Sequence, residues 1–574
     1  MAFIRTVKTR SSTGETLEYL RIVESYRKKG KLKQRVIANL GNVAVLRRDI
    51  KQIVNGLLQK AGEKPLVFAD DLRNEQGKEY GVGYLASLIW QELGLDELIK
   101  KRLKGKKVEL NYGDWIRMMV VNKLSDPRSK LGIFEWLSMV WWPTHGFDEK
   151  VLETTREVEE KEKQRVAKKE VMKFYRALDH LLGMKADIEN HLYFRFRDLF
   201  SLEVDLVFYD LTSSYFEGRG PEGLAKLGYS RDHEPGKPQI VIGLVMCNGL
   251  PIGHEVFEGN RVDKKTVKEI LAKLRNQFRI KRCIFVGDRG LVSHENLETL
   301  ERYEGFESIL ALRKRRNKEI KEMMVEKGPL VYCRAEKNLE YVDIGGKGNL
   351  RYIVCRNPEI EREQKEERKK DMAEIEKKLE ELKRKTDSQK RPSLKRIVKQ
   401  IEEVLSHHSG HRLYRYKLDE KKRSFEYFKN EEGIKLENEL DGVYILRTQK
   451  NDLTPEEIIK SYKDLQEVEK AFRSLKSPLE LRPFFHHKEE RVLAHVFICV
   501  LAYIICKVVE KRIRDREINL TGEKVFSLFK QMQIAVMRVG EELYAYTSEP
   551  TYMQRRILKT LKTEPPPRII VGVR

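Results

Sequence analysis

The spacing of apolar residues divides the chain into segments of different types. Residues 19–40 alternate apolar and polar positions on both sides of Gly30, a pattern that predicts two strands joined by a tight turn. Residues 80–200 instead place apolar residues three and four positions apart, which is the spacing of amphipathic helices. The pattern therefore predicts a hairpin arm within residues 1–60 and a helical domain at residues 80–200.

Between residues 203 and 313 the pattern changes to that of an α/β domain. Short apolar runs typical of strands alternate with an amphipathic helix at residues 264–278. Asn248 and Gly249 separate two of these runs and predict a type I′ turn. This order of elements predicts a mixed sheet flanked by helices. We expect this core in two parts, residues 201–330 and residues 441–510.

Residues 331–440 are expected to form an insertion between these two parts. Short strand-like runs come first, followed by two highly charged stretches, residues 359–385 and 394–405. Apolar residues recur in both stretches at intervals of three and four, which predicts two helices packed as a coiled-coil hairpin. Residues 511–574, after the core, are predicted to be a helical C-terminal region.

Composition adds a large positive charge. The chain of 574 residues has 113 Lys and Arg against 89 Asp and Glu, a net charge of +24, and is 40% hydrophobic. This length allows several domains with cores of their own, and the charge indicates a polyanionic partner, most simply nucleic acid. The hairpin arm adds Lys28, Lys29 and Lys31 as candidate contacts with DNA phosphates. A basic surface without a DNA partner is the alternative that charge alone leaves open.

The sequence also predicts a cytoplasmic protein without a membrane partner. Its six cysteines lack CxxC spacing and lie mostly in apolar runs, which indicates buried thiols in a reducing compartment. The N-terminal residues lack the apolar core of a signal peptide. The longest apolar run, residues 496–506, is too short to span a bilayer and is expected to be a buried helix.

Two aspartates follow apolar runs in the predicted core. Asp210 comes directly after "VFY", and Asp288 directly after "CIFVG". A single aspartate at a predicted strand end often only caps a turn. If the two strands are neighbours, however, the carboxylates converge, and their repulsion implies a cation between them. Oxygen ligands favour Mg²⁺ or Mn²⁺, and a bridged pair of such ions suits in-line phosphoryl transfer.

A helix predicted at residues 462–476 supplies a third acid. Glu469, Arg473 and Lys476 are four and three positions apart and therefore share one side of this helix. A carboxylate aligned with two cations suits a site that holds metal ions and also binds DNA phosphate. A surface helix with a Glu469–Arg473 salt bridge is the alternative.

These motifs together resemble those of prokaryotic insertion-sequence transposases of the DDE class. The first and second acids lie in "YDLTSSYF" and "VGDRGLVS", and "GYSRDHEPGKPQ" and "EGNRVD" lie between them. The third acid fits the branch with a Tyr-x2-Arg-x3-Glu-x6-Lys motif. The positions of that motif in this chain are Tyr462, Leu465, Glu469 and Lys476. Leu465 departs from the family's arginine, so one expected DNA contact is absent or supplied elsewhere.

The resemblance covers about residues 200–510 and implies both a fold and an activity. It implies a ribonuclease-H-like core in which Asp210, Asp288 and Glu469 are catalytic ligands of two Mg²⁺ ions, with Mn²⁺ as a substitute. Such an enzyme cuts the ends of its element with water and joins the freed 3′-hydroxyl to target double-stranded DNA. The expected DNA contacts in this core are Tyr462, Arg473, Lys476, Arg231 and Arg289, and the helical domain at residues 80–200 is also expected to bind DNA.

The resemblance further implies a homodimer on DNA, associated with the nucleoid of a prokaryotic cell. Two other interpretations share the same three acids. One is another ribonuclease-H-like metal-dependent nuclease, such as a junction resolvase or a repair nuclease. The other is a catalytically inactive, DNA-binding relic of an element.

Overall fold

The computed structural model of the chain describes most of its residues and divides them into two compact units. The described ranges are residues 2–12, 14–63, 66, 73–104, 112–142, 160–201, 206–312, 332–336, 338–346, 350–389, 393–449, 452–539 and 542–571. The terminal unit comprises Met1–Tyr80, Gln531–Arg556 and Glu564–Arg574. The central unit comprises Gly81–Lys530 and Ile557–Thr563.

The terminal unit begins with a three-stranded antiparallel sheet. Its strands are β1 (Ala2–Arg10), β2 (Thr16–Lys28) and β3 (Lys31–Asn42), followed by α1 (Val43–Lys60) and β4 (Arg73–Glu79). Lys29 and Gly30 join β2 to β3 with φ angles of 49° and 76°, as a type I′ turn requires. The predicted hairpin is therefore present, and β1, which the alternation did not reveal, pairs with β2 along its whole length.

Helices occupy the start of the central unit, where the periodicity predicts them. They are α2 (Gly81–Glu92), α3 (Leu95–Leu103), α4 (Tyr112–Ser125), α5 (Gly132–Met139), α6 (Glu160–Leu182) and α7 (Lys185–Phe200). Trp90, Trp115 and Trp136 are fully buried among them and form part of an apolar core. Burial of such large side chains is a major stabilising contribution to a helical domain.

A nine-stranded mixed sheet forms the centre of this unit. Its first part contains β5 (Leu206–Tyr215), β6 (Gln239–Cys247), β7 (Leu250–Glu258), α8 (Val267–Asn276), β8 (Cys283–Gly287), α9 (His294–Arg302) and β9 (Phe306–Leu312). β5, β6 and β7 are antiparallel neighbours, whereas β5, β8 and β9 run parallel. The predicted turn at Asn248 and Gly249 joins β6 to β7, and both residues have positive φ.

The remaining elements of the central unit follow β9. They are β10 (Cys333–Glu336), β11 (Leu339–Gly345), β12 (Arg351–Arg356), α10 (Pro358–Asp387), α11 (Leu394–Ser406), α12 (Gly410–Leu413), β13 (Tyr414–Asp419), β14 (Ser424–Lys429), α13 (Glu431–Leu440), β15 (Val443–Thr448), α14 (Pro455–Lys463), α15 (Gln466–Lys476), α16 (Glu489–Arg514) and α17 (Gly522–Phe529). The sheet order is β10-β11-β12-β15-β9-β8-β5-β6-β7. The strands of the expected insertion thus extend the main sheet, because β15 pairs with β9 on one side and β12 on the other.

The charged stretches of the insertion form α10 and α11, which pack on each other. Their apolar stripes face one core together with side chains of the β13–β14 hairpin, which the sequence did not predict. The buried members of this core are Ile375, Leu379, Leu382, Ile397, Ile401, Leu405, Leu413, Tyr414 and Phe425. The packing of the two helices is therefore intramolecular and includes a small sheet.

The expectation of a helical C-terminal region is wrong in part. Residues 511–574 contain the end of α16, α17 and α18 (Tyr552–Thr560), but also β16 (Gln533–Val539), β17 (Glu542–Thr547) and β18 (Ile569–Val571). β16 to β18 join β4 in an antiparallel sheet of the terminal unit, in the order β18-β17-β16-β4. The physical reason lies in "QIAVMRV" and "ELYAYT", short runs that are rich in the β-branched and aromatic residues that favour strands.

The long apolar helix α16 contains the run predicted at residues 496–506. Of the described helices, it is the one with the length and composition of a membrane span, but 89% of its most apolar window is buried inside the protein. Burial of this extent is typical of a core helix. Five of the six cysteines are buried free thiols, as expected, but Cys333 is exposed.

A buried ionic cluster connects α7 to β7 and α8. Glu189 lies 2.7 Å from Lys273 Nζ, 3.2 Å from Lys185 Nζ and 3.2 Å from His254 Nδ1. Burial alone would raise the pKa of Glu189, but the two ammonium groups hold it well below its usual value. Burial lowers the pKa of His254 to about 4, so this imidazole is neutral at physiological pH. Glu189 is thus the more buried of two acids that compensate these cations; Glu255 also lies 2.6 Å from Lys273 Nζ and 3.2 Å from Lys185 Nζ.

Replacing Glu189 with glutamine should destabilise the central unit by about 3 kcal/mol, because it leaves buried ammonium groups without their main counter-charge. The measurement is urea unfolding followed by tryptophan fluorescence. The matched control is Glu298→Gln, which removes an exposed pair with Arg302 and should cost less than about 1 kcal/mol. Equal unfolding midpoints for the two variants would contradict the importance of this cluster.

Candidate active site

The register of two parallel strands brings the first two acids together. Pairing of β5 with β8 runs from Leu206 opposite Ile284 to Tyr209 opposite Gly287, so the next residues are Asp210 and Asp288. β8 ends here, but β5 continues to Tyr215 against β6. The sequence predicts Asp210 at the end of its strand. In the structure Asp210 lies inside β5, because β6 still supplies hydrogen-bond partners beyond it.

The third acid reaches the same place from a helix. α14 begins with a capping box, in which Thr454 and Glu457 satisfy each other's backbone N–H groups, and packs against β8 and β9. α15 follows directly and packs against β5 and β6 through buried residues such as Val468. This arrangement directs Glu469 towards the two aspartates.

All three predicted acids line one cavity of about 390 Å³. The other residues that line it are Leu211, Thr212, Arg231, Asp263, Gly290, Leu291, Phe472, Arg473 and Lys476. The cavity is within the volume range of small-ligand sites and is open to solvent. The structure thus brings together side chains from three separate motifs of the sequence.

The electrostatics of the cavity favour a cation. Burial raises the pKa of Asp210 from 3.8 to about 7; the negative charges of Asp288 and Glu469 add to this effect, and Arg231 opposes it. Oxygen-only donors of this charge suit a hard divalent cation. Within the described ranges, however, no three His, Cys, Asp or Glu side chains lie close enough to form a complete metal cage. The acids therefore surround a cavity and are not packed as a ready-made ligand cluster, although their donor chemistry fits a divalent ion.

The salt bridge required by the alternative interpretation of α15 is not formed. Glu469 and Arg473 make no ion pair with each other, and neither pairs with another side chain in the described part of the chain. Arg473 is exposed at the cavity. A guanidinium group in this position is available for an anionic ligand.

Tyr462 contacts one of the acids instead of standing free for DNA. Its hydroxyl donates a hydrogen bond to Asp288 Oδ1 at 3.3 Å, and its ring stacks on Tyr444. Burial raises the pKa of Tyr462, so the hydroxyl keeps its proton and can act as a donor. Leu465, at the position of the family's arginine, is buried and makes core contacts.

The other predicted DNA contacts differ in their surroundings. Arg231 donates to both carboxylate oxygens of Asp263 at 2.7 and 2.8 Å. Lys476 donates to Asp232 at 2.8 Å. Arg289 is exposed next to Asp288 but does not line the cavity. Lys28, Lys29 and Lys31 are exposed at the β2–β3 turn of the terminal unit.

Sequence reasoning did not identify the two acids that hold these cations. Asp232 and Asp263 lie in the motifs "GYSRDHEPGKPQ" and "EGNRVD", which the sequence marks only through their resemblance to the family. The available signal was that Asp232 directly follows the candidate Arg231. Nothing local, however, indicates the 244 positions that separate Asp232 from its partner Lys476.

Two glycines, Gly228 in the first motif and Gly259 in the second, allow close approach of the backbone. A Cβ atom on Gly228 would lie 2.1 Å from the carbonyl oxygen of Gly259, and one on Gly259 would lie 2.0 Å from that of Gln239. Side chains there would prevent the loop after β5 from packing on the ends of β6 and β7. The packed loop is held further by Arg231 N–H, which donates to Ser213 Oγ at 2.7 Å.

Comparison with protein families decides the class of protein. A family model described as the transposase DDE domain matches residues 206–505, more than half of the chain. The chain belongs to the DDE transposase family. A second model, the N-terminal domain of IS1634 family transposases, matches residues 4–71. The predicted resemblance is confirmed: this is an insertion-sequence DDE transposase, an enzyme of metal-dependent DNA cleavage and strand transfer.

Other comparisons add little about this transposase. No curated protein matches the chain. Among solved structures, a cryo-EM structure of the piggyBac transposase synaptic complex with hairpin DNA aligns with 79% of this chain and 82% of that chain. The sequence identity is 10% and the TM-score is 0.37, so the overall similarity is low.

Replacing Asp210 with asparagine should stabilise the metal-free protein at pH 8. The folded pKa of about 7 lies above the ordinary 3.8, so ionising this carboxyl group opposes folding. This cost is absent below about pH 4 and complete above the folded pKa. One pKa unit corresponds to about 1.4 kcal/mol, and partial solvent exposure reduces the effect, so we expect a gain of at least about 1 kcal/mol.

The measurement is urea unfolding in EDTA at pH 8 and pH 4.5. The gain should be present in full at pH 8 and should fall to a minor fraction of that value at pH 4.5. The exposed Asp198→Asn serves as the control and should show no such difference. If Asp210→Asn is instead less stable than the wild type at pH 8, the negative charge of Asp210 is stabilised by its surroundings in the folded protein, and the prediction is wrong.

Proposed function

We propose that this transposase cuts the ends of its insertion element and joins them to target DNA at the cavity that contains Asp210, Asp288 and Glu469. The observation that supports this most directly is the convergence of these three acids from β5, the end of β8 and α15. Acids that converge in this way, beside an arginine that has no ion-pair partner among the described residues, suit phosphoryl transfer on a DNA backbone.

We infer that the catalytic core is ribonuclease-H-like. The support is the order β7-β6-β5-β8-β9, in which the first three strands are antiparallel and the last two run parallel to β5. The third acid is then supplied by a helix that packs on the central strand β5. The sheet extension and the helical hairpin of residues 331–440 would be additions to this core.

The proposed cofactors are two Mg²⁺ ions, for which Mn²⁺ would substitute. Asp210, Asp288 and Glu469 would hold them, since oxygen donors suit both ions. Such ions activate the attacking oxygen and neutralise charge on the leaving oxygen of an in-line displacement. The chain itself would orient the site: the Tyr462 hydroxyl would hold Asp288 in place, and Phe472 contributes an apolar part of the cavity wall.

Double-stranded DNA is the proposed partner, both as element ends and as target. The net charge of +24 favours this polyanion, and Arg473 together with Lys28, Lys29 and Lys31 would contact its phosphates. A homodimer would supply one site for each of the two element ends. We expect the enzyme to act on the nucleoid, in the cytoplasm of a prokaryotic cell.

Changing any of the three acids to alanine should abolish DNA cleavage but leave DNA binding largely intact, because ligands of one metal site lose function together. The assay incubates labelled element-end DNA with Mg²⁺ and maps the cuts, and EDTA should stop the wild-type reaction. The control is Glu467→Ala, which lies on the same helix and lines a different cavity. Wild-type cleavage by Glu469→Ala would disprove the assignment of the third ligand.

Replacing Arg473 with glutamine should weaken DNA binding and reduce the salt dependence of log K by about one, the value expected for one lost phosphate contact. Fluorescence anisotropy at several salt concentrations measures both quantities. Lys470→Gln provides the comparison, because Lys470 is on the same helix but pairs with Glu467 at 2.7 Å. If both variants bind with equal affinity and slope, Arg473 is not a phosphate ligand.

A further inference from the structure

We infer that Asp232 organises Lys476 and Arg482 into a clamp for one backbone phosphate of DNA, next to the three acids. This inference rests on the proposed function only in taking DNA as the ligand. It adds a binding residue, Arg482, and a positioning residue, Asp232, that the transposase motif in α15 does not contain.

The core of the clamp is one carboxylate oxygen shared by two cations. Asp232 Oδ1 accepts from Lys476 Nζ at 2.8 Å and lies 2.7 Å from Arg482 Nη1. The Asp232 side chain is only 3% exposed, whereas those of Lys476 and Arg482 are 13% and 31% exposed. Two cations on one carboxylate leave a positive charge, and both cations remain accessible from solvent.

Stability alone does not explain this arrangement. Asp232 Oδ2 is buried without a hydrogen-bond partner in the described part of the chain. An unsatisfied buried acceptor destabilises the folded protein, and one buried carboxylate needs only one cation to compensate it. The second cation and the unpaired oxygen are better explained by a function in which the two cations must lie side by side.

The backbone around Arg482 is held on both sides. Lys123 Nζ donates to the carbonyl oxygen of Glu480 at 3.0 Å, two residues before it. Phe484 N–H donates to the carbonyl oxygen of Tyr215 at 3.2 Å, two residues after it. The guanidinium group also lies 5.8 Å from the centre of the Tyr215 ring. Arg482 is therefore presented from a fixed segment, which lowers the entropic cost of binding a ligand.

The position of the clamp suits a phosphate near the scissile one. Lys476 lines the cavity that contains Asp210, Asp288 and Glu469. A guanidinium group matches the geometry of two phosphate oxygens, and an ammonium group adds a point charge. A phosphate on these two groups would fix the DNA backbone beside the acids without contacting any of them.

The direction in which Asp232→Asn changes DNA affinity distinguishes this clamp from simple charge neutralisation by Asp232. If Asp232 only neutralises nearby cations, Asp232→Asn adds a net positive charge and should increase DNA affinity and the salt slope. If Asp232 positions the cations, the same isosteric change should decrease affinity about 3- to 10-fold despite the added charge. Both quantities are measured by anisotropy with a fluorescein-labelled duplex of mixed sequence in EDTA.

Arg482 variants test the clamp even if Asp232→Asn fails to fold. Arg482→Gln should weaken binding and reduce the salt slope by about one. Arg482→Lys should keep the slope but bind less tightly than the wild type, because it retains the charge and loses the two-pronged geometry. Arg302→Gln, at a side chain that is 79% exposed on α9, gives the effect of losing one ordinary surface charge.

Two results would overturn the inference. One is tighter binding by a folded Asp232→Asn, and the other is an Arg482→Gln variant with the affinity and slope of Arg302→Gln. Urea unfolding midpoints establish which variants are folded. DNA binding is measured without metal, so the test of the clamp does not depend on cleavage. A wild-type protein that binds DNA through this clamp but does not cut it in the presence of Mg²⁺ would contradict only the proposed function.

Discussion

The parallel pairing of β5 with β8 is the constraint on which the rest of the site depends. Successive side chains of a strand point to opposite faces, so a slip of one residue would carry Asp288 away from Asp210. Apolar packing prevents such a slip, because all five residues of β8 and the three residues before Asp210 are buried. The position of a polar site is thus determined by the apolar contacts beneath it.

In the part of the chain that the structure describes, the three central acids form no ion pairs, because other acids around the cavity pair with the cations there. Arg231 is bound by Asp263, and Lys476 is bound by Asp232, neither of which belongs to the predicted metal ligands. Asp210 in particular has no lysine or arginine partner among the described residues, and burial raises its pKa. Basic groups can therefore lie close to the acids without cancelling the negative charge that would attract a divalent ion.

Local sequence patterns predicted the helices and turns of this protein better than they predicted contacts between residues that are distant in the sequence. The local sequence located the helices α10 and α11 by their periodicity and the β6–β7 turn by Asn248 and Gly249, because these features depend on neighbouring residues. It also indicated the three acids, which follow or lie within apolar segments. The Lys476–Asp232 pair was not predictable, because it depends on how segments that are distant in the sequence pack together. For the same reason the sequence does not indicate that Arg482 also pairs with Asp232. The strands β16 to β18 were missed although their β-branched and aromatic residues favour strands.

The extension of the sheet explains how a large insertion can coexist with a precise site. β15 lies between β9 and β12, so the strands of residues 331–440 satisfy one of its two hydrogen-bonding edges. Without them that edge would be an unpaired strand edge beside the core. β15 leads directly into α14 and α15, and α15 contains Glu469. The insertion therefore contributes to the support of the third acid, and only the part beyond the sheet, α10, α11 and the β13–β14 hairpin, has a core of its own.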